Sequence, residues 1–219
     1  MLDVHNKIEP DKETGRVEAF SDGVFGIAMT LLVLELHVPS IHESDGPVTA
    51  SMLGAALLKH WPGYFAFLTS FSTILTMWVH HHGMFRLIRR TDSLLLFTNG
   101  LLLLLVTVVP FPTAVLAAYL RTDAARMAAG FYAGVFLFIA IAFGVLLKVA
   151  LRPRMVMSSA PPEIVARFRA SYRFGPLWYV LALLSAFFST WLCLGICTAL
   201  YVYWTVVTID CRQEAAAAG

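Results

Sequence analysis

Charged side chains are scarce in this sequence: Asp, Glu, Lys and Arg make up 14% of 219 residues, against 58% apolar types. With a mean hydropathy of +0.73, that imbalance excludes an ordinary soluble domain and fits a chain whose solvent is lipid. A strong basic excess is missing too. The formal net charge is +2 and the basic residues fall in short clusters between apolar runs, which removes the electrostatic footprint of a nucleic-acid binder. Cysteine is sparse and odd in number. Cys193 and Cys197 sit at helical spacing inside an apolar run and Cys211 follows, so they read as small buried hydrophobes and not as a disulfide framework. The first residues, MLDVHNKIEPDKETGR, contain no apolar h-region and do not read as a signal peptide.

What is present is a succession of apolar runs of membrane-spanning length. They predict spans at about Val17–Val38, Trp61–His81, Leu94–Ala114 and Met127–Leu151, each bounded by charge or proline. A further block, Phe174 to Ile209, is about twice the length of one crossing. Two short helices, about 174–190 and 192–209 with a turn near Ser189–Gly195, account for it; one tilted helix plus an interfacial segment is the other reading. The expected fold class is therefore all-α, a polytopic membrane bundle of six spans forming a single domain over residues 1–219.

Lys/Arg bias sets the orientation. With both termini in the cytoplasm, that side receives Lys7, Lys12, Arg16, Arg86, Arg89, Arg90, Lys148, Arg152, Arg154, Arg167, Arg169, Arg173 and Arg212. Only Lys59, Arg121 and Arg126 fall outside, an asymmetry that favours an even number of crossings. The outer connection, residues 39–60, carries Glu43, Asp45 and an Asp45-Gly46-Pro47 turn signal. The inner one contains Pro161-Pro162 and a basic, interfacial-looking segment from Glu163 to Arg173. No internal repeat relates the two halves.

The first span departs from simple apolarity. Arg16, Phe20, Ser21, Asp22 and Gly23 stand at the mouth of a helix in which ionisable groups are costly, and an intramembrane carboxylate marks a functional site by default. At about 100° per residue, Arg16, Phe20, Gly23, Ile27, Thr30, Leu31 and Leu34 share one stripe, while Ser21 and Asp22 point away from it. The part from Ile27 to Leu34 extends roughly 10 Å along the axis, long enough to close a narrow pore if several copies surround it. Aliphatic residues at that spacing are equally the mark of a lipid-facing or packed helix.

Buried Asp22 and Ser21 require partners. Trp78, His81 and His82 near the end of the second span and Asn99 early in the third lie at the same depth, so Asp22 or Ser21 is expected to hydrogen-bond an imidazole or the indole N–H. His80, His81 and His82 are consecutive, point about 100° apart on a helix and cannot converge on one ion, so no metal site is expected. Nor do adjacent Ser21 and Asp22 flank a single histidine in the order a hydrolase needs.

The string Arg16-x-x-x-Phe20-Ser21-Asp22-Gly23 opening the first of six spans, with Trp78 and His82 ending the second, resembles the bacterial relatives of the lysosomal and endosomal potassium channel family, whose signature is RxxxFSD. The resemblance implies a homotetramer of six-span subunits in the bacterial inner membrane, with the first helices lining the axis. It further implies a hydrophobic constriction, here Ile27, Leu31 and Leu34, and a hydroxyl layer contributing selectivity, here Thr30. Arg16, Phe20, Ser21, Asp22, Gly23, Trp78, His81, His82 and Asn99 form the signature and anchor network. A TVGYG filter is absent, so selectivity for potassium is expected to be modest. The expected protein is thus a potassium channel without enzymatic activity or cofactor, whose partners are its own copies, the bilayer and potassium ions. The alternative is a proton-coupled secondary transporter or proton pathway using Asp22 and the second-span histidines.

Overall fold

The computed structural model describes residues 12–40 and 47–217. Lys7, Glu43, Asp45 and Gly46 lie outside the described residues, as do the side chains of Lys12, Arg167, Cys211 and Arg212. Among the described residues the fold is helical: α1 (Lys12–Leu31), α2 (Ala50–Lys59), α3 (Trp61–Phe85), α4 (Ser93–Val108), α5 (Pro110–Tyr119), α6 (Ala125–Ala150), α7 (Pro162–Tyr172), α8 (Gly175–Ser185) and α9 (Thr190–Ala217). An isolated antiparallel bridge, Ile88 with Val156, ties the end of α3 to the segment after α6.

Several boundaries differ from the sequence expectation for local reasons. Helix α1 starts ahead of Val17 and tightens after Leu31 into a 3-10 turn, Leu32–Glu35. The third run is two helices, because Pro110 has no N–H and α4 ends at Val108; Thr113 N–H resumes the ladder on the Val109 carbonyl. The connection 39–60, taken as a loop, contains α2, which Thr49 caps by accepting from the Met52 N–H at 3.3 Å. The last apolar block divides after Ser185. Its turn precedes Ser189–Gly195 because Ser189 caps α9, its hydroxyl accepting from the Leu192 N–H at 3.4 Å.

Among the described residues, three helical stretches are long and apolar enough to cross a bilayer: Glu13–Glu35, Ser93–Tyr119 and Ala125–Ala150. Helix α3 has 25 residues and is more polar, while Thr190–Val206 is a shorter apolar helix. Helix α6 is the centre of the bundle. Ala128, Ala129, Tyr132, Phe136, Ile139, Phe143 and Leu146 form its buried stripe, packed by α4, α5, α8 and α9. Buried polar groups close on one another: Ser70 Oγ lies 2.7 Å from Thr113 Oγ1 and 3.0 Å from the Tyr132 hydroxyl, joining α3, α5 and α6. Cys193 and Cys197 are free and buried, with the Cys193 thiol directed at the Ala129 carbonyl at 3.6 Å.

Candidate functional site: two faces of the first helix

The buried face of α1 carries Thr14, Ser21, Phe25 and Ala28 at heptad-like spacing, continued by Leu32 in the 3-10 turn, and it packs on α3 and α4. Ser21 is fully buried in this seam. Its hydroxyl donates to the Val17 carbonyl at 2.8 Å and accepts from Asn99 Nδ2 at 2.9 Å. Asn99 Oδ1 then faces His81 Nε2 at 2.8 Å. Because the Asn99 amide nitrogen is committed to Ser21, its oxygen accepts, which fixes His81 as the Nε2–H tautomer. The imidazole is held between Phe85, stacked at 4.5 Å between ring centroids, and Phe25 at 5.3 Å.

Asp22, one residue on, turns to α3. Trp78 Nε1–H donates to its Oδ1 at 2.8 Å. One turn earlier, Glu18 Oε1 stands 2.8 Å from His82 Nδ1, and His82 stacks on Trp78 at 6.0 Å. Glu18 and Asp22 ascend α1 as His82 and Trp78 descend α3, so the two pairs are rungs between antiparallel helices. Thr91 extends the connection by donating to Glu13 Oε2 at 3.3 Å.

The opposite face of α1 touches little of its own subunit. Ile27 is 59% exposed, Leu31 40% and Leu34 69%, and Thr30 lies exposed among them. Leu34 stands in the 3-10 turn, so the stripe completes its last step with a tighter winding than an α-helix provides. The Thr30 hydroxyl donates to the Ile27 carbonyl at 2.9 Å. Its hydrogen is thereby engaged, which leaves oxygen lone pairs as the polar feature of this face.

Ser21, Asp22, Trp78, His81 and Asn99 are thus brought together as the spacing implied, and His82 joins through Glu18. Arg16, Phe20 and Gly23 are not in the network: all three are exposed, on the side of Ile27. The consecutive histidines diverge. His80 meets the Trp204 carbonyl at 3.2 Å, His81 meets Asn99 and His82 meets Glu18. Ser21 and Asp22 bond Asn99 and Trp78 respectively, an arrangement in which no histidine serves the serine as a base.

Comparison with known proteins decides what kind of molecule holds this arrangement. The sequence pattern of the family described as endosomal/lysosomal potassium channel TMEM175 matches residues 16–110. A potassium channel of Chamaesiphon minutus is 51% identical over 197 residues, 89% of this chain and 94% of the relative. The chain belongs to the TMEM175 family. A Streptomyces collinus potassium channel is 42% identical over 213 residues, covering 93% of this chain and 98% of its own. The crystal structure of a lysosomal potassium-selective channel TMEM175 homolog from Chamaesiphon minutus superposes with a TM-score of 0.80 at 49% identity, covering 90% of this chain and 99% of that one. Membership makes this a multi-pass membrane protein, and the matched segment contains every residue of both faces from Arg16 onward.

Within the TMEM175 framework, one participant escaped the sequence reading. Glu18 is invisible as a lone carboxylate but recognisable as half of a pair, since Glu18 and Asp22 repeat the four-residue spacing of Trp78 and His82. A second polar centre, at the start of α4, was also unread. Asp92 caps α4 by accepting from the Leu95 N–H at 2.8 Å and meets Arg154 at 3.1 Å and Arg152 at 3.5 Å. The Leu95 N–H, followed by the two guanidinium groups, holds the Asp92 carboxyl below the usual carboxylate range.

Proposed function

We propose that the chain is one subunit of a homotetrameric potassium channel whose axial pore is lined by four copies of α1. One observation carries the reading. Of the three helical stretches suited to crossing a bilayer, the one containing α1 has the lowest hydropathy, yet 22% of its most apolar stretch is buried in the subunit against 44% for each of the others. A helix facing lipid on its uncovered side has reason to be the most apolar. The uncovered side of α1 instead bears Arg16, Gly23 and Thr30 beside Ile27, Leu31 and Leu34, which suits a narrow, partly wetted axis shared with other copies.

In that assembly Ile27, Leu31 and Leu34 form the constriction, and an apolar ring of this kind stops ions by shedding water. Thr30 turns its hydroxyl oxygen to the axis and contributes a modest preference for potassium over sodium. Conduction runs down the electrochemical gradient, as the names of the bacterial relatives imply for those proteins. The Glu18–His82, Asp22–Trp78 and Ser21–Asn99–His81 contacts hold the back of α1 to its own subunit, so that the pore-facing stripe keeps its angle. Both termini lie in the cytoplasm, and the six crossings are α1, α3, α4 with α5, α6, α8 and α9. The α8 helix, about 16 Å long by its 11 residues, is the shortest of them.

The test is potassium flux in liposomes under a potassium gradient at two pH values. The channel reading expects flux that dissipates the gradient without saturating and without needing a proton gradient. Saturable flux driven by a proton gradient would replace it with the coupled transporter.

A further inference from the structure

Away from α1, a groove of about 590 Å³ opens between the last turns of α6 and the α7–α8 junction. Four cations line it. Lys148 and Arg152 come from α6 and the residues after it, Arg169 and Arg173 from α7 and its end, and no carboxylate is among the described lining residues. Each pair is four residues apart at the end of its helix, and the two pairs face across the groove, so like charges are gathered in an arrangement that costs energy unless an anion sits between them.

Partial neutralisation is local. Arg152 stands 3.5 Å from Asp92, Arg169 donates to the Leu151 carbonyl, and Arg173 lies over the Phe174 ring at 5.4 Å. A helix C-terminus favours one or two cations through its dipole, which accounts for a basic pair at the end of α6 and another at the end of α7 but not for the two ends facing one another across a groove.

Below the cations the groove turns apolar. Ile141, Gly144 and Val145 on α6 and Pro176 on α8 line it, about 10 Å along α6 from Lys148 to Ile141. Ile141 and Val145 are 44% and 41% exposed, and a side chain at Gly144 would meet open space. We propose that this groove binds an anionic phospholipid of the cytoplasmic leaflet, its phosphate held by Lys148, Arg152, Arg169 and Arg173 and an acyl chain laid along Ile141, Gly144 and Val145. Cationic pockets at helix ends on that side recognise anionic headgroups by the same charge complementarity, and the apolar wall distinguishes a lipid from a free phosphate. The inference rests on the membrane reading but not on conduction, so a binding measurement in detergent stands or falls apart from any ion flux.

The full chain in neutral detergent is mixed with phosphatidylglycerol, phosphatidylcholine or inorganic phosphate, and bound adducts are counted by native mass spectrometry. Phosphatidylglycerol is expected to bind at least about fivefold better than phosphatidylcholine, and inorganic phosphate to leave no adduct. The double substitution Lys148→Gln with Arg173→Gln, at two exposed positions, is expected to abolish that preference. Gly144→Phe fills the apolar slot with all four cations in place and is expected to weaken phosphatidylglycerol binding by a similar factor. Equal binding of the two lipids, an inorganic phosphate adduct of equal strength, a wild-type preference in the double variant, or wild-type phosphatidylglycerol binding in Gly144→Phe would overturn the proposal.

Discussion

Helices α1 and α6 are both long enough to span a bilayer, and they use their exposed sides in opposite ways. Helix α6 exposes Phe131, Phe138, Ile141 and Val145 and buries an aromatic and alanine stripe at the centre of the subunit. Helix α1 exposes an arginine, glycines and a threonine among its aliphatic residues, and fixes its other side with side-chain hydrogen bonds to α3 and α4 in addition to the packing of Phe25 and Ala28. Lipid demands apolarity and little else, so α6 needs only packing to be placed. In the proposed assembly a helix at the shared axis must also be placed in rotation, and the directional bonds of α1 to α3 and α4 would provide that.

Substitutions at the back of α1 should expose the difference most strongly. Asn99→Leu strands the His81 N–H and takes the donor from Ser21, at about 2–4 kcal/mol for two buried groups, read as a fall in the detergent melting temperature and in assembled protein. A comparably sized exchange at exposed Leu104 of α4 should leave both unchanged. Asp22→Ala leaves the Trp78 indole N–H without its acceptor and is expected to cost about 1–3 kcal/mol. Normal assembly of that variant would remove the anchoring role.

Smaller effects sharpen the picture. The side chains of the Glu18–His82 rung are 22% and 34% exposed, so a double-mutant cycle with Glu18→Gln and His82→Gln should give a coupling of about 0.5–1 kcal/mol. A coupling of zero would leave Trp78 as the one functional rung. At the start of α4, the Asp92 carboxyl is held below its ordinary range, so it stabilises the fold above the unfolded carboxylate pKa, and that contribution is lost as pH falls through the lower folded value. Asp92→Asn should flatten stability on the acid side of about pH 4 by a few tenths of a kcal/mol, visible as a smaller acid-induced drop in melting temperature.

Much of this was legible in the sequence because a membrane helix has few ways to hide polarity. Ser21 and Asp22 against Trp78, His81 and Asn99 followed from depth and helical angle, and the exposed stripe followed from the same angle. Glu18 was missed because it borders the charged N-terminal segment and reads as solvated until its spacing is matched to Trp78 and His82. The break at Pro110 is not marked by apolarity, which runs on through Pro110 and Pro112; Thr113 bonded to the Val109 carbonyl and to Ser70 stabilises a fresh helix start there. Helix α2 was lost in a connection judged by its acidic turn, although Thr49 is a good N-cap. Arg16, Phe20 and Gly23 are drawn into the anchor only by the signature; their exposure places them with the stripe instead.

The most direct test sets two residues of nearly equal exposure against each other: Ile27 on α1, 59% exposed, and Phe138 on α6, 62% exposed. Potassium flux is measured in liposomes carrying Ile27→Asn or Phe138→Asn at matched protein density. A polar group in an apolar constriction lowers the barrier to water and ions, and a loss of about 1.4 kcal/mol is roughly a tenfold rise in flux. That rise is expected for Ile27→Asn, with Phe138→Asn at the wild-type level; unchanged flux in both, or an equal rise in both, would contradict a pore lined by α1.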